Sequence, residues 1–235
     1  TLYAALGMLN LPENKLVTLE DPVEYQIPGI NQIQINSEIG LTFGTGLKAV
    51  LRQSPDIILV GEIRDLETAE NAIRAALTGH LVFSTLHTND APSSTVRLIE
   101  MGVKPYLVAS SMQAAIAQRL VRRICSVCRS SYKAHPEEIR EIGYDPEEYG
   151  GVEFFKGEGC ERCGKSGYRG RTAIHEIMVM DAELRRRVIR SEAGTRLKRA
   201  AVKKGMRTLR MDGWEKAMMG ATTMEEVLRV TQTDI

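Results

Sequence analysis

Short apolar runs alternate with stretches of helical spacing through the first half of the chain. Residues 15–19 read as a short buried strand, and residues 30–36 set Ile30, Ile33 and Ile35 among polar neighbours as a half-exposed strand does. Residues 43–52 have helical spacing. Residues 56–60 form a dense apolar strand of the kind covered by helices on both faces. Helical spacing returns over 66–78, closed by Gly79 at the position after the last turn, and residues 80–86 are the next strand. Residues 91–101 and 105–120 then read as helices. This alternation predicts an α/β domain over residues 1–120 with a largely parallel sheet.

The second half differs. Residues 121–171 hold all four cysteines, clustered acids (Glu137, Glu138, Glu147, Glu148) and many glycines, leaving little room for an apolar core. A small module of that composition needs a metal staple. Residues 172–180 are expected to form a strand that returns to the main sheet. Residues 181–235 read as a C-terminal helical subdomain punctuated by Gly194, Gly205 and Gly220.

Aromatic residues make up only 5% of the chain, so aliphatic side chains must fill the core. No apolar run approaches the roughly 18 residues of a membrane span, and the N-terminus lacks the pattern of a secretory signal. The chain opens without Met in what reads as mid-helix, the expectation being a fragment. Its net charge of +1 is unevenly spread, acidic in the first half and basic over 181–235. Such a surface suits a protein partner, a membrane face or nucleic acid, and selects none of them.

The cysteines stand in two pairs, Cys125-x-x-Cys128 and Cys160-x-x-Cys163. Two chelating turns of this kind can present four thiolates to one tetrahedral Zn²⁺. Without an export signal, metal binding is favoured over two disulfides or a redox pair. Four thiolates would close the coordination shell, so the role is structural.

Three strand ends carry polar chemistry. Asp56-Ile-Ile-Leu-Val-Gly61-Glu62 has the form of a Walker B element, which brings a carboxylate to the ligand-binding edge of an open sheet, where it can hold Mg²⁺. Glu20-Asp21-Pro22-Val23-Glu24 ends the preceding strand with three carboxylates, able to orient an attacking water and support the metal, or merely to cap a turn. His87 follows the third strand, either as a γ-phosphate contact or as a cap on the loop before the next helix. Arg52 and Arg64 flank the Walker-B-like strand. Arg64 has the better claim to neutralise charge in phosphoryl transfer, or it pairs with Asp65 or Glu67. No G-x-x-x-x-G-K-[S/T] phosphate loop occurs in the chain; its expected place is upstream of Thr1, whose helix would then follow the phosphates.

Together these motifs resemble the secretion ATPase superfamily, and within it the ATPase of type II secretion and the extension ATPase of type IV pilus assembly. Glu20 to Glu24 is similar to the Asp box, residues 57–65 to the atypical Walker B, and residues 79–90 to the His box. Residues 117–125, the second cysteine pair and Gly167-Tyr-Arg-Gly-Arg-Thr172 are similar to the tetracysteine module and its exit. The resemblance implies an incomplete RecA-like P-loop core in a cytoplasmic homohexamer that hydrolyses ATP with Mg²⁺ against an inner-membrane platform. It implies Glu20 as general base, Glu62 as the Mg²⁺-linked residue, Asp21 and Glu24 as supporting carboxylates, and His87 as the γ-phosphate contact. Retraction and conjugation relatives generally lack the tetracysteine module, and residues 27–32 and 222–231 favour the secretion ATPase over the pilus one. Lys48 stands where an Arg is expected and Ser54 where Asp is frequent, so bidentate contacts from position 48 are lost. A rival class is a zinc-ribbon nucleic-acid module with the basic stretch 185–204. The scarcity of aromatic platforms and the acids around the cysteines weigh against it.

Overall fold

A computed structural model describes residues 1–142, 145–149 and 151–231; the side chains at 138, 141, 142, 148 and 149, Glu138 and Glu148 among them, lie outside that description. The first half runs α1 (Leu2–Leu9), β1 (Leu16–Glu20), β2 (Asn31–Gln34), α2 (Phe43–Val50), β3 (Ile57–Val60), α3 (Leu66–Leu77), β4 (Leu81–Ser84), α4 (Ser93–Glu100) and α5 (Pro105–Ser111). There follow β5 (Ala114–Ile124), β6 (Arg129–Lys133), α6 (Pro136–Ile142), α7 (Pro146–Tyr149), β7 (Glu153–Gly157) and β8 (Tyr168–Val179). The chain continues through α8 (Ala182–Ile189), α9 (Gly194–Lys203), α10 (Leu209–Met218) and α11 (Met224–Val230). Among the described residues no helix is long and apolar enough to cross a membrane.

The chain divides into two compact units. The first comprises Thr1–Thr88, Ser93–Gln113 and Met180–Ala193. Its sheet has the order β2-β1-β3-β4, every pair parallel. Parallel neighbours need crossover connections, which α2 and α3 supply. Strands β1 and β3 are buried at every position, the reason they read as unbroken apolar runs. Leu6 of α1 packs against Leu16, Ile57 and Leu59. Thr42 and Thr45 form a reciprocal cap on α2, and the Asp65 carboxylate accepts the Thr68 N–H at 2.8 Å to start α3. Gly61 sits where β1 and β3 converge; a Cβ there would lie 3.0 Å from the Leu19 carbonyl oxygen.

The second unit comprises Asn89–Pro92, Ala114–Val179 and Gly194–Ile235. Here the structure corrects the reading of 105–120 as one helix. Helix α5 stops at Ser111, and β5 pairs antiparallel with β8 from Ala114↔Val179 to Ile124↔Tyr168. Ala, Gln, Arg and Leu favour helix locally, but propensity is a weak prior and the ladder overrides it. Val121 and Ile174 bury one face with Leu209, whereas Ile116, Leu120 and Ile177 remain about half exposed on the other. Strand β8 therefore pairs with β5 and does not return to the four-stranded sheet.

Nor is the cysteine segment without a core. Ile139 and Phe154 pack against Trp214, Ala217 and Met224, with the Phe154 and Trp214 rings 5.0 Å apart. The C-terminal helices supply the apolar surface that the segment lacks. The helices of 181–235 do not gather in one body: α8 groups with the first unit and α9–α11 with the second, residues 232–235 lying outside the description.

Beneath this core, Glu226 is fully buried and accepts hydrogen bonds from the Arg122 N–H at 2.9 Å, the Arg122 guanidinium at 2.7 Å and the Arg229 guanidinium at 2.8 Å. Arg122 also lies over the Tyr168 ring, 4.0 Å from its centre. The hydrogen bonds from Arg229, and then those from Arg122, hold the Glu226 carboxyl down at about 2. A carboxyl depressed in the fold stabilises it fully above the unfolded value, about 4.3, and that contribution is lost as the pH falls through about 2. Breaking a buried pair leaves charges uncompensated, so Glu226→Ala is expected to cost on the order of 3 kcal/mol in denaturant unfolding at neutral pH. The deficit relative to wild type should shrink as the acid limit is approached.

Candidate functional site

Parallel topology brings the three polar strand ends to one edge of the first unit's sheet. Glu20 ends β1, Glu62 follows β3 by two residues, and His87 follows β4 by three. Backbone bonds tie these ends together: Gly61 N–H to Leu19 O at 2.7 Å and Ile63 N–H to Thr85 O at 3.0 Å. The Thr85 hydroxyl adds a bond to the Gly61 carbonyl at 2.7 Å.

Glu20 is only 5% exposed. Its carboxylate accepts from the Tyr3 hydroxyl, the Thr18 hydroxyl and the Gln32 amide, the last at 3.1 Å. Strand geometry explains two of these donors. Thr18 shares a strand face with Glu20 two residues on, and Gln32 is the register partner of Thr18 on β2. Tyr3 reaches in from α1 and also accepts the Glu24 N–H at 3.2 Å; burial, then the Glu20 carboxylate, raises its phenol above the ordinary value. The sequence signalled none of the three as site residues, although the two-residue spacing of Thr18 and Glu20 was there to be read. Asp21 and Glu24 are exposed, and Glu24 joins this cluster only through its backbone N–H to Tyr3.

Glu62 lies between Arg64 and His87. One of its oxygens is 2.6 Å from Arg64 Nε and 3.2 Å from His87 Nε2. The Glu62 side chain is 13% exposed, whereas those of Arg64 and His87 are 66% and 82% exposed. Glu62 and His87 are thus brought into contact. The expected pairing of Arg64 with Asp65 or Glu67 is replaced: Asp65 caps α3 and Glu67 binds Lys48 at 2.6 Å. Lys48 accordingly bridges α2 and α3, and Arg52 stands exposed beyond α2. Glu62 offers a carboxylate of the kind Mg²⁺ takes, but Asp21 and Glu24 are not gathered with it: among the described residues only the four cysteines form a group of three or more potential metal ligands.

The second candidate site is the cysteine quartet of the other unit. The four Sγ atoms lie within 4.8 Å of one another. Cys125–Cys160 and Cys128–Cys163 are each 3.9 Å apart and Cys160–Cys163 3.7 Å, far beyond a disulfide bond. Tetrahedral Zn–S bonds of about 2.3 Å require S–S edges of about 3.8 Å, so the quartet fits Zn²⁺. The backbone shapes both turns: Cys125 N–H bonds Gly167 O at 2.9 Å and Lys165 N–H bonds Cys160 O at 2.8 Å. Gly167 has φ +77 and lies against the Gly157 carbonyl, where no side chain fits. Without metal, burial pushes the Cys128 thiol up to about 12, while the Cys160 N–H holds Cys163 down at about 6. Metal binding would displace the remaining protons.

Residues 1–229 match the family described as "Type II/IV secretion system protein". The chain is 52% identical over 231 residues to the type IV pilus assembly ATPase PilB of Thermus thermophilus, covering 98% of this chain and 26% of that protein. It is 51% identical over 232 residues to the type II secretion system protein HxcR of Pseudomonas aeruginosa, covering 99% and 45%. The chain thus spans less than half the length of these curated relatives. Among solved structures, the pilus retraction motor PilT with bound ADP superposes with a TM-score of 0.71 at 25% identity, covering 98% of this chain and 57% of that one. The Legionella pneumophila ATPase DotB, at 21% identity and a TM-score of 0.66 over 97% and 55%, shares the fold. With its parallel α/β sheet, its clustered strand ends and a family match over nearly its whole length, the chain belongs to the type II/IV secretion system protein family.

Proposed function

We propose that this chain is the hydrolytic part of a RecA-like ATPase that powers type II protein secretion through pseudopilus assembly. The observation that carries the reading is the convergence of Glu20, Glu62 and His87 at the carboxyl edge of one parallel sheet, the place where open α/β sheets bind phosphates. ATP is the substrate. Glu20, held by its three donors, orients the attacking water and takes its proton. Glu62 is the residue that would hold Mg²⁺, which when bound offsets phosphate charge. His87 and Arg64, both on Glu62 in this structure, would turn from it toward the γ-phosphate. The cysteine quartet would hold Zn²⁺ as a structural staple.

The working protein is a homohexamer on the cytoplasmic face of the inner membrane, associated there through platform proteins. Type IV pilus assembly is the second reading, favoured by the 52% identity to PilB. Restoring secretion or piliation in the corresponding deletion strains separates the two. The basic stretch does not support nucleic-acid binding: Arg187 pairs with Glu183 and Glu192, and Arg185 bonds Gln113 and the Ala109 carbonyl. Because no phosphate loop lies within the 235 residues, the isolated chain is expected to bind ATP weakly or not at all. Calorimetric titration with Mg-ATP checks this, and a micromolar Kd would refute the assigned position of the phosphate cradle.

A further inference from the structure

The second unit contains a recess of about 180 Å³ whose lining includes none of Glu20, Glu62, His87 or the four cysteines, although Asn89 and Asp90 follow His87 closely in sequence. Four cations line it: Arg119, Lys198, Arg210 and Arg229. Two are already compensated. Arg229 binds the buried Glu226, and Lys198 lies 3.7 Å from Asp90 and 3.8 Å from Glu176. The other two have no carboxylate partner among the described residues. Arg119 donates to the Asn89 side-chain oxygen at 3.2 Å. Arg210 is only 5% exposed, and among the described residues its guanidinium makes two long bonds to Thr231, at 3.3 and 3.4 Å.

A buried guanidinium without a counter-ion is unfavourable, and among the described residues none is supplied for Arg210, beside which the partly exposed Arg119 adds a second cation to the recess. Guanidinium forks match tetrahedral oxyanions bidentately. The recess also carries two acceptors, Asp90 and the fully buried Glu176, whose oxygens accept the Ala91 and Leu209 N–H groups at 2.9 and 3.2 Å. Carboxylates repel an anion unless that anion brings a proton to donate. Hydrogen phosphate does so and sulfate at neutral pH does not.

From this arrangement we infer that the recess binds inorganic hydrogen phosphate. Arg119 and Arg210 grip its oxygens, and Asp90 or Glu176 accepts its remaining proton. Its lining belongs wholly to the second unit, and its chemistry does not depend on the ATPase reading.

The test uses the 235-residue chain, with inorganic phosphate as probe, followed by calorimetry and phosphorus NMR. Millimolar binding is expected, weakened about tenfold or more by Arg119→Gln and by Arg210→Gln, and partly kept by Arg210→Lys. Circular dichroism verifies folding. Should Arg210→Gln fail to fold, the half-exposed Arg119 carries the test alone. Glycerol phosphate, mostly without the remaining proton at neutral pH, is run alongside and is expected to bind more weakly than the free ion. No phosphate binding, binding indifferent to Arg119→Gln, or loss of binding in Glu62→Gln would each overturn the site. Sulfate binding as tightly as phosphate would remove the role given to the two carboxylates.

Discussion

Glu20→Gln, made in a form of the protein that also carries a phosphate loop, is expected to lower ATP turnover roughly a hundred- to ten-thousandfold, the range for losing a general base. Nucleotide affinity should hold nearly constant. The amide fills the same space: its oxygen, set toward Thr18 and Gln32, still accepts from both, and its NH2 faces the Tyr3 hydroxyl, which can turn to accept, so the buried cluster keeps its shape. It cannot take a proton. Steady-state phosphate release and fluorescent-nucleotide binding together read the two halves of this expectation. Turnover at the wild-type rate would remove Glu20 from the base role, and a parallel loss of binding would make it a structural residue instead.

Cys163→Ser should have the second-largest effect, and it acts on stability. Structural zinc contributes on the order of 10 kcal/mol to the folding of small metal modules. Here the expected loss is smaller, because Phe154 and Ile139 retain an apolar partner in Trp214 after the metal leaves. The chain has a single Trp, so its emission reports on this core alone. Wild-type protein is expected to release one zinc per chain to a colorimetric chelator, with a red shift in Trp214 emission and earlier urea unfolding. The serine variant should show the shifted spectrum from the outset and bind no zinc tightly. A variant with unchanged emission and unfolding would show that the quartet staples nothing.

How far the sequence disclosed this depends on what each element answers to. Strands β1 and β3 were legible because a central parallel strand is apolar on both faces, and Leu16 to Leu19 and Ile57 to Val60 have no other use. The strand-end residues were legible for a related reason: parallel strands in one sheet put their carboxyl ends on one edge. Strand β5 was not, because the alternation of Ala115 and Val121 inward with Ile116 and Leu120 outward is masked by helix-favouring Ala and Arg. Its true partner is β8, far along the chain. The Phe154–Trp214 contact was hidden for the same reason, and the cysteine segment therefore looked poorer in core than it is. The partners of Glu20 and of Arg64 depend on where whole elements sit, and no local pattern encodes that.

The division into two units has a consequence for how the protein is made. The chain passes from one unit to the other after Thr88, Pro92, Gln113, Val179 and Ala193. Domains generally fold as units as they emerge during synthesis. Here the emerging chain can pair β1 to β4 early, but α5 waits for α8, and β5 is extruded long before β8 arrives to cover its backbone. During that interval an eleven-residue strand with open edges faces the ribosome's surroundings, exposed to pairing with a neighbouring nascent chain. Any trimming for expression must respect the same order: a single cut cannot release either unit whole, and a boundary between Gln113 and Val179 leaves one half of the β5–β8 ladder behind.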